Sequence, residues 1–277
     1  MGMVTLALVS RRVLSTCNVT CRYLTGAQLA AVRQETYRNL NGVATRKVAT
    51  IMNDYEVDVA PLQRASLKEK CILVDKQDRP VGEATKKFCH EIDKEGCVPL
   101  HRAFSVFLFN SKGDLLLQKR SSVKITFPDC FTNTCCSHPL AEIPEEMEEK
   151  DALGVKRAAI RRLNYELGIP TNEVKPSDLF YLTRIRYQDA SCDRWGEHEI
   201  DYILFLQRDN ITINPNPDEI SEIRWIPRSE IEKFMKSAPQ LTPWFNLIYK
   251  FKLLHWWDNL HTLSKMQDHK SIPMLMN

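Results

Sequence analysis

The stretch Arg161-Arg162-Leu163-Asn164-Tyr165-Glu166-Leu167-Gly168-Ile169 closes a run that starts at Asp151 and reads as one amphipathic helix. Leu153, Ile160, Leu163 and Leu167 give it an apolar stripe. Asp151 is placed to cap its start, because a short carboxylate accepts from the free amides of the first turn. Gly168 stops it, and Pro170 follows closely. Outward from this helix the chain reads as strands: Cys71 to Val74, Phe104 to Phe109, Leu115 to Lys119, Tyr181 to Tyr187, Glu199 to Gln207 and Ile223 to Ile226. Asp75 to Pro80 is a polar turn, with Val81 starting the return strand. Asn110 to Asp114 is a hairpin loop. Ser229 with Glu232 reads as a capping box opening a short helix. Thr242 and Pro243 start a last helix running through Trp244, Phe251, Trp257 and Leu260. Strands and helices that alternate irregularly, with a hairpin, predict an α/β (α+β) sandwich around a mixed sheet.

At 277 residues the chain predicts one large domain, 65–277, and an extension, 1–64, without sustained period. Residues 1 to 34 hold Arg11, Arg12, Arg22 and Arg33 and no acid, whereas the remainder carries 34 basic and 35 acidic residues. The basic balance therefore belongs to the N-terminus and does not argue for nucleic acid. That composition reads as a mitochondrial transit peptide, with a start at Met52 giving a cytoplasmic form as the alternative. No apolar run approaches a membrane span. Nine cysteines at non-repeating spacings fit a reducing compartment better than a disulfide framework. Cys71 and Cys130 read as ordinary buried residues. No Gly-rich dinucleotide fingerprint occurs, so neither flavin nor nicotinamide is expected.

Two further stretches carry chemistry. In Thr132-Asn133-Thr134-Cys135-Cys136-Ser137-His138-Pro139-Leu140 a thiol lies two residues from an imidazole, and Pro139 biases His138 away from helix. In Trp195-Gly196-Glu197-His198-Glu199, two carboxylates at i and i+2 of a strand point to one face. Thiol, imidazole and paired carboxylates are the material of a metal-assisted proton-transfer site. The residues alone do not choose between Cys135 and Cys136. Taken singly, each histidine is more often a packing or surface residue and each basic residue a solvated charge.

Residues 147–169 resemble the Nudix box, G-x5-E-x7-R-E-U-x-E-E-x-G-U, with departures. Met147 stands for its glycine, and Leu153, Arg162 and Tyr165 stand for glutamates. Arg161, Glu166 and Gly168 survive. The resemblance implies a Nudix-like mixed sheet sandwiched between helices. The lost carboxylates argue against hydrolysis by several metal ions, so a Nudix-type diphosphate hydrolase is the alternative reading. With the two chemistry-bearing stretches, His101 to Phe109, Lys124 to Pro128 and Thr242 to Phe245, the chain is similar to the type 1 isopentenyl-diphosphate isomerases, animal-type, except that Asp129 stands where glycine is expected. That resemblance implies an isomerase interconverting isopentenyl and dimethylallyl diphosphate through a carbocation. It implies His90, His101, His138, Glu197 and Glu199 around one divalent cation, Mg²⁺ with Mn²⁺ or Zn²⁺ as options. Glu166 would hold a second Mg²⁺ arriving with the diphosphate. Cys136 and Glu199 would move protons, Tyr187 would hydrogen-bond Glu199, and Trp244 would face the cation. Lys86, Arg120, Lys124 and Ser137 would bind the diphosphate, with Arg102 as a further contact. Trp256 and Trp257 are expected to help close the pocket. His198, His255, His261 and His269 are expected outside the site, and the enzyme is expected to be a monomer.

Overall fold

The structure is a computed structural model, and it describes residues 61–190 and 192–276. The transit-peptide and Met52 readings fall outside the described residues. Helix α1 (Pro61–Ser66) precedes β1 (Lys70–Val74) and β2 (Pro80–Thr85), an antiparallel pair. Gln63 of α1 is buried. Next come α2 (Lys86–His90), the hairpin β3 (His101–Phe109) and β4 (Leu115–Arg120), and the short strands β5 (Phe131–Thr132) and β6 (Cys135–Ser137). Helix α3 (Leu153–Leu167) leads to β7 (Phe180–Ala190), β8 (Gly196–Gln207) and β9 (Ile220–Ile226). The chain closes with α4 (Ile231–Ser237), α5 (Pro243–Ile248), a π turn (Tyr249–Leu253), α6 (Leu254–Trp257) and a 3₁₀ segment (Leu260–Met266).

Strand β3 is central. It pairs in parallel with β8 from His101↔Glu199 to Phe109↔Gln207. Its other edge pairs antiparallel with β1, β6 and β4 in turn. β7 extends the sheet beyond β8, and β9 pairs with β4. Phe104, Val106 and Leu108 of β3, with Ile200, Tyr202 and Leu204 of β8, pack against Val155, Ala158, Ala159 and Leu163 of α3. Phe107 and Phe109, with Ile203 and Phe205, pack against Trp244, Phe245, Trp256 and Trp257. Helices on both faces explain why β3 is buried along its whole length without alternation. They also confirm a mixed sheet between helices.

Local departures from the expected elements have local causes. Asp151 does not cap α3: it and Ala152 take left-handed φ of 54° and 55°, and no side chain bonds the first turn. The buried face of α3 is centred on Val155, Ala158, Ala159, Leu163 and Leu167, with Leu153 and Ile160 at its margin. Helix α4 starts at Ile231 from Glu230 in a helical conformation, without the expected Ser229–Glu232 capping box. The last helix holds its π turn across Phe251, which is exposed. Gly168 does terminate α3, at φ 64°, and a Cβ there would lie 2.3 Å from the Asn214 carbonyl oxygen.

Candidate active site

Pleating sets the site. On β8, Ile200, Tyr202 and Leu204 face α3, so Glu197, Glu199 and Asp201 face the C-terminal helices. The parallel register puts His101 beside Glu199. The β3–β6 register puts Ser105 beside Cys136, and His138 follows β6 directly. Thr85 Oγ1 caps α2 by accepting from the Phe88 amide at 3.3 Å, and the last residue of that single turn is His90.

The three imidazoles form a ring, with centroids 4.8, 4.9 and 5.0 Å apart. His90 Nε2 lies 2.9 Å from Glu197 Oε2. His138 Nε2 lies 2.8 Å and His101 Nε2 3.4 Å from Glu199 Oε1. One donor atom from each of these five residues falls within 4.8 Å of all the others. His90 Nδ1 bonds the Lys86 carbonyl at 2.7 Å and His101 Nδ1 the Pro99 carbonyl at 2.9 Å. A carbonyl can only accept, so each of these Nδ1 atoms carries a proton, and the two rings are held with Nε2 aimed at the carboxylates. Among the described residues, His101 Nε2, His138 Nδ1 and Glu197 Oε2 are buried without a hydrogen-bond partner. Unpaired buried polar atoms are costly, and imidazoles mixed with carboxylates are ligands for a divalent cation, so the residues fit one.

Beside this group lies the cleft lined by Cys136, Glu199, Tyr187 and Trp244. Cys136 is half-buried there, whereas Cys135 is fully buried in the α3-side core. Alternation along β6 thus turns Cys136, and not Cys135, toward the cleft. Burial pushes the Cys136 thiol up to about 12 despite Arg120, whose Nη1 is 4.0 Å from the sulfur. Tyr187 Oη donates to Glu199 Oε2 at 2.6 Å, and burial together with the Glu199 charge holds its phenol well above the usual range. Burial alone would raise the Glu199 carboxyl, but His101 and His138 bring it well below the usual range. Trp244 Nε1 donates to Asn133 Oδ1 at 3.0 Å, and Phe127 meets its ring edge-on at 5.3 Å.

Lys86, Arg120, Lys124 and Ser137 line the same cleft. Arg120 is fixed by the Thr126 and Phe127 carbonyls. Arg162, noticed in the sequence only as a departure from a pattern, lines the cleft too. Asp201 was also missed, although it continues the i, i+2 series of Glu197 and Glu199. It is 1% exposed, accepts from Ser105 Oγ at 2.8 Å, and burial raises its carboxyl well above the usual range. Glu166 does not join the five donors. Its oxygens accept from Arg162 at 2.8 Å and Gln118 at 3.0 Å. Arg102 points to the opposite face of the sheet, where it bonds Asp78 and Glu149, so it is no contact of this cleft. Trp256 and Trp257 do not line the cleft either: they pack beneath it against Phe205 and Phe109. His198 bonds the Val98 carbonyl outside the group, and His255, His261 and His269 are exposed. Asp129 takes φ 60°, the left-handed region where glycine is at ease, and lies 3.5 Å from Lys119.

The layers and this site define a NUDIX-fold chain with a metal-binding type of donor group, and the NUDIX domain model matches residues 99–245. A NUDIX hydrolase structure from Alicyclobacillus acidocaldarius aligns with a TM-score of 0.45 at 11% identity, over 61% of this chain and 97% of that one. Isopentenyl-diphosphate Delta-isomerase 1 of Mesocricetus auratus is 54% identical over 210 residues, 74% of this chain and 92% of that protein. The Bos taurus protein of the same name is 52% identical over 78% of this chain and 96% of its own length. The chain belongs to the isopentenyl-diphosphate Delta-isomerase family.

Proposed function

We propose that this chain is an enzyme interconverting isopentenyl and dimethylallyl diphosphate, with Cys136 and Glu199 as its two proton-handling groups. The observation that carries this reading is one cleft that brings together a thiol, a carboxylate, members of the five-donor group and several basic side chains. The reaction needs a proton given to the terminal carbon and a proton taken from C2, with a tertiary cation between. Cys136 keeps its proton at neutral pH, and Glu199 is held in place by Tyr187. Trp244 offers an aromatic face that stabilises positive charge without capturing it. Residues packed around the cleft exclude the water that would otherwise trap the cation. Lys86, Arg120, Lys124, Arg162 and Ser137 bind the diphosphate.

His90, His101, His138, Glu197 and Glu199 would hold Mg²⁺, with Mn²⁺ or Zn²⁺ as alternatives that suit imidazole ligands. A cation there supplies Lewis-acid polarisation that sets the acidity of Glu199. For Glu166 to serve a second Mg²⁺ with the substrate, it must exchange its bonds to Arg162 and Gln118. Hydrolysis is the weaker reading, because the guanidinium of Arg162 occupies a position that the hydrolytic pattern gives to a carboxylate.

The test is deuterium incorporation from heavy water into both pentenyl diphosphates by purified protein with Mg²⁺. Label in both isomers is expected, and label in neither overturns the reading. The acid-free, basic residues 1–34 support a mitochondrial address, which a fluorescent fusion of residues 1–60 tests against a diffuse cytoplasmic signal. The monomeric state expected for this chain is tested by sedimentation.

A further inference from the structure

Glu219 puts a carboxylate directly behind two basic side chains of the cleft, Lys124 and Arg162, where its charge would work against an anionic substrate, and the bonds it makes explain why. It is 5% exposed and sits at the foot of β9, its backbone pinned by hydrogen bonds with Ser121 and Asn216. Oε2 accepts from Lys124 Nζ at 2.7 Å and from Arg162 Nη2 at 3.3 Å. Oε1 accepts from Gln63 Nε2 at 3.0 Å. One side chain thereby joins the loop after β4, helix α3 and the leading helix α1.

We infer that Glu219 is a positioning residue for the diphosphate: it fixes Lys124 and Arg162 in the wall of the cleft and seats α1 beside them through Gln63. The Lys124 ammonium needs such a partner. Burial lowers it to about 8, and Arg120, Lys86 and Arg162 push the same way, while Glu219 opposes them. Without that carboxylate the lysine gives up its proton at lower pH and loses its aim, so the cleft binds the diphosphate less well although one negative charge has gone. Simple charge counting predicts the opposite sign. The inference rests on the assignment of Lys124 to the diphosphate.

The experiment measures KM and kcat of the full chain between pH 6 and 9 for wild type, Glu219→Gln and Lys124→Met, with circular dichroism as a check of folding. Glu219→Gln is expected to raise KM about ten-fold with kcat held within about three-fold. Its KM is expected to start climbing about one pH unit below the wild-type rise. Lys124→Met is expected to raise KM with no such pH-dependent rise. If Lys124→Met raises KM while Glu219→Gln matches wild type at every pH, or only lowers thermal stability, Glu219 is not a positioning residue. An unchanged KM in Lys124→Met overturns the assignment of that lysine instead. Should the Gln variant not fold, Glu219→Asp keeps the charge but draws it back by one methylene. A raised KM is then expected, and a wild-type KM overturns the inference.

Discussion

At Cys135 and Cys136, adjacent thiols have opposite fates because a strand turns successive side chains to opposite faces. Cys135 is 0% exposed and packs under α3, and Cys136 faces the cleft. Cys136→Ala is therefore expected to lower kcat by about 10²–10⁴-fold, the range of a lost proton-transfer group, without loss of fold. Cys135→Ala should retain kcat and lose about 1–2 kcal/mol of stability from the deleted core sulfur. Rate assays beside urea titrations separate the two, and a fully active Cys136→Ala contradicts the proposed chemistry. Glu219 gives a pH dependence of stability. Burial works to raise its carboxyl, but Lys124 and Arg162 bring it from 4.5 down to about 2. A carboxyl depressed by folding stabilises fully above its unfolded value and loses that contribution as pH falls toward about 2. Glu219→Gln should therefore flatten the loss of Tm between pH 5 and pH 3, and an unchanged acid limb would count against the pairing. The thiol–imidazole spacing and the paired glutamates were legible in the sequence because each is local. Arg162 and Asp201 were not, because their place depends on which face of α3 and β8 meets the cleft.

Elements were legible where periodicity is strong and illegible where backbone geometry decides. The strands from Phe104, Tyr181 and Glu199 all form, extended at their ends by register with neighbours. The start of α3 could not be read, because Asp151 has a capping side chain but takes φ 54°, from which it does not cap. Packing forces that entry: a Cβ at Gly154 would lie 2.2 Å from the Glu146 carbonyl oxygen, so the preceding loop crosses the helix at glycine only. The same loop carries Glu146, which accepts from Arg161 at 2.6 and 2.9 Å, while Arg161 also reaches the His138 carbonyl at 3.2 Å. The surviving arginine of the pattern thus anchors the strand end that carries a metal-ligand candidate. Gly168 tests the other end of the helix. Ala there must adopt φ 64° and place its Cβ 2.3 Å from Asn214 O, so Gly168→Ala should cost about 2 kcal/mol or more. Urea unfolding measures it, and a change under about 0.5 kcal/mol would show that the 210–216 loop yields freely.

Across the whole molecule, the five donors come from α2, β3, the end of β6 and β8, separated by up to 109 positions between His90 and Glu199. No local spacing announces such a group, which is why the resemblance rather than the residues proposed it and why the three-dimensional register was needed to assemble it. Its physical consequence is a coupling between metal and fold. All five side chains are buried, and three of their polar atoms have no hydrogen-bond partner among the described residues. A ligand that binds only the folded chain stabilises it by about 2.7 kcal/mol at one hundred times its dissociation constant. For a domain of this size each kcal/mol moves Tm by about 2–4 °C, so chelation should lower Tm by about 5–10 °C. Mg²⁺, Mn²⁺ or Zn²⁺ returned singly should restore it, and the order of recovery ranks the metals for this site. Glu197→Gln removes a ligand charge while keeping shape, so it should lose most of the chelator-sensitive shift. Glu222→Gln, on the exposed side of β9, should keep the shift in full. Equal melting of wild type with and without chelator, in protein shown by elemental analysis to carry metal before treatment, would mean that the ion contributes nothing to holding α2, β3, β6 and β8 together.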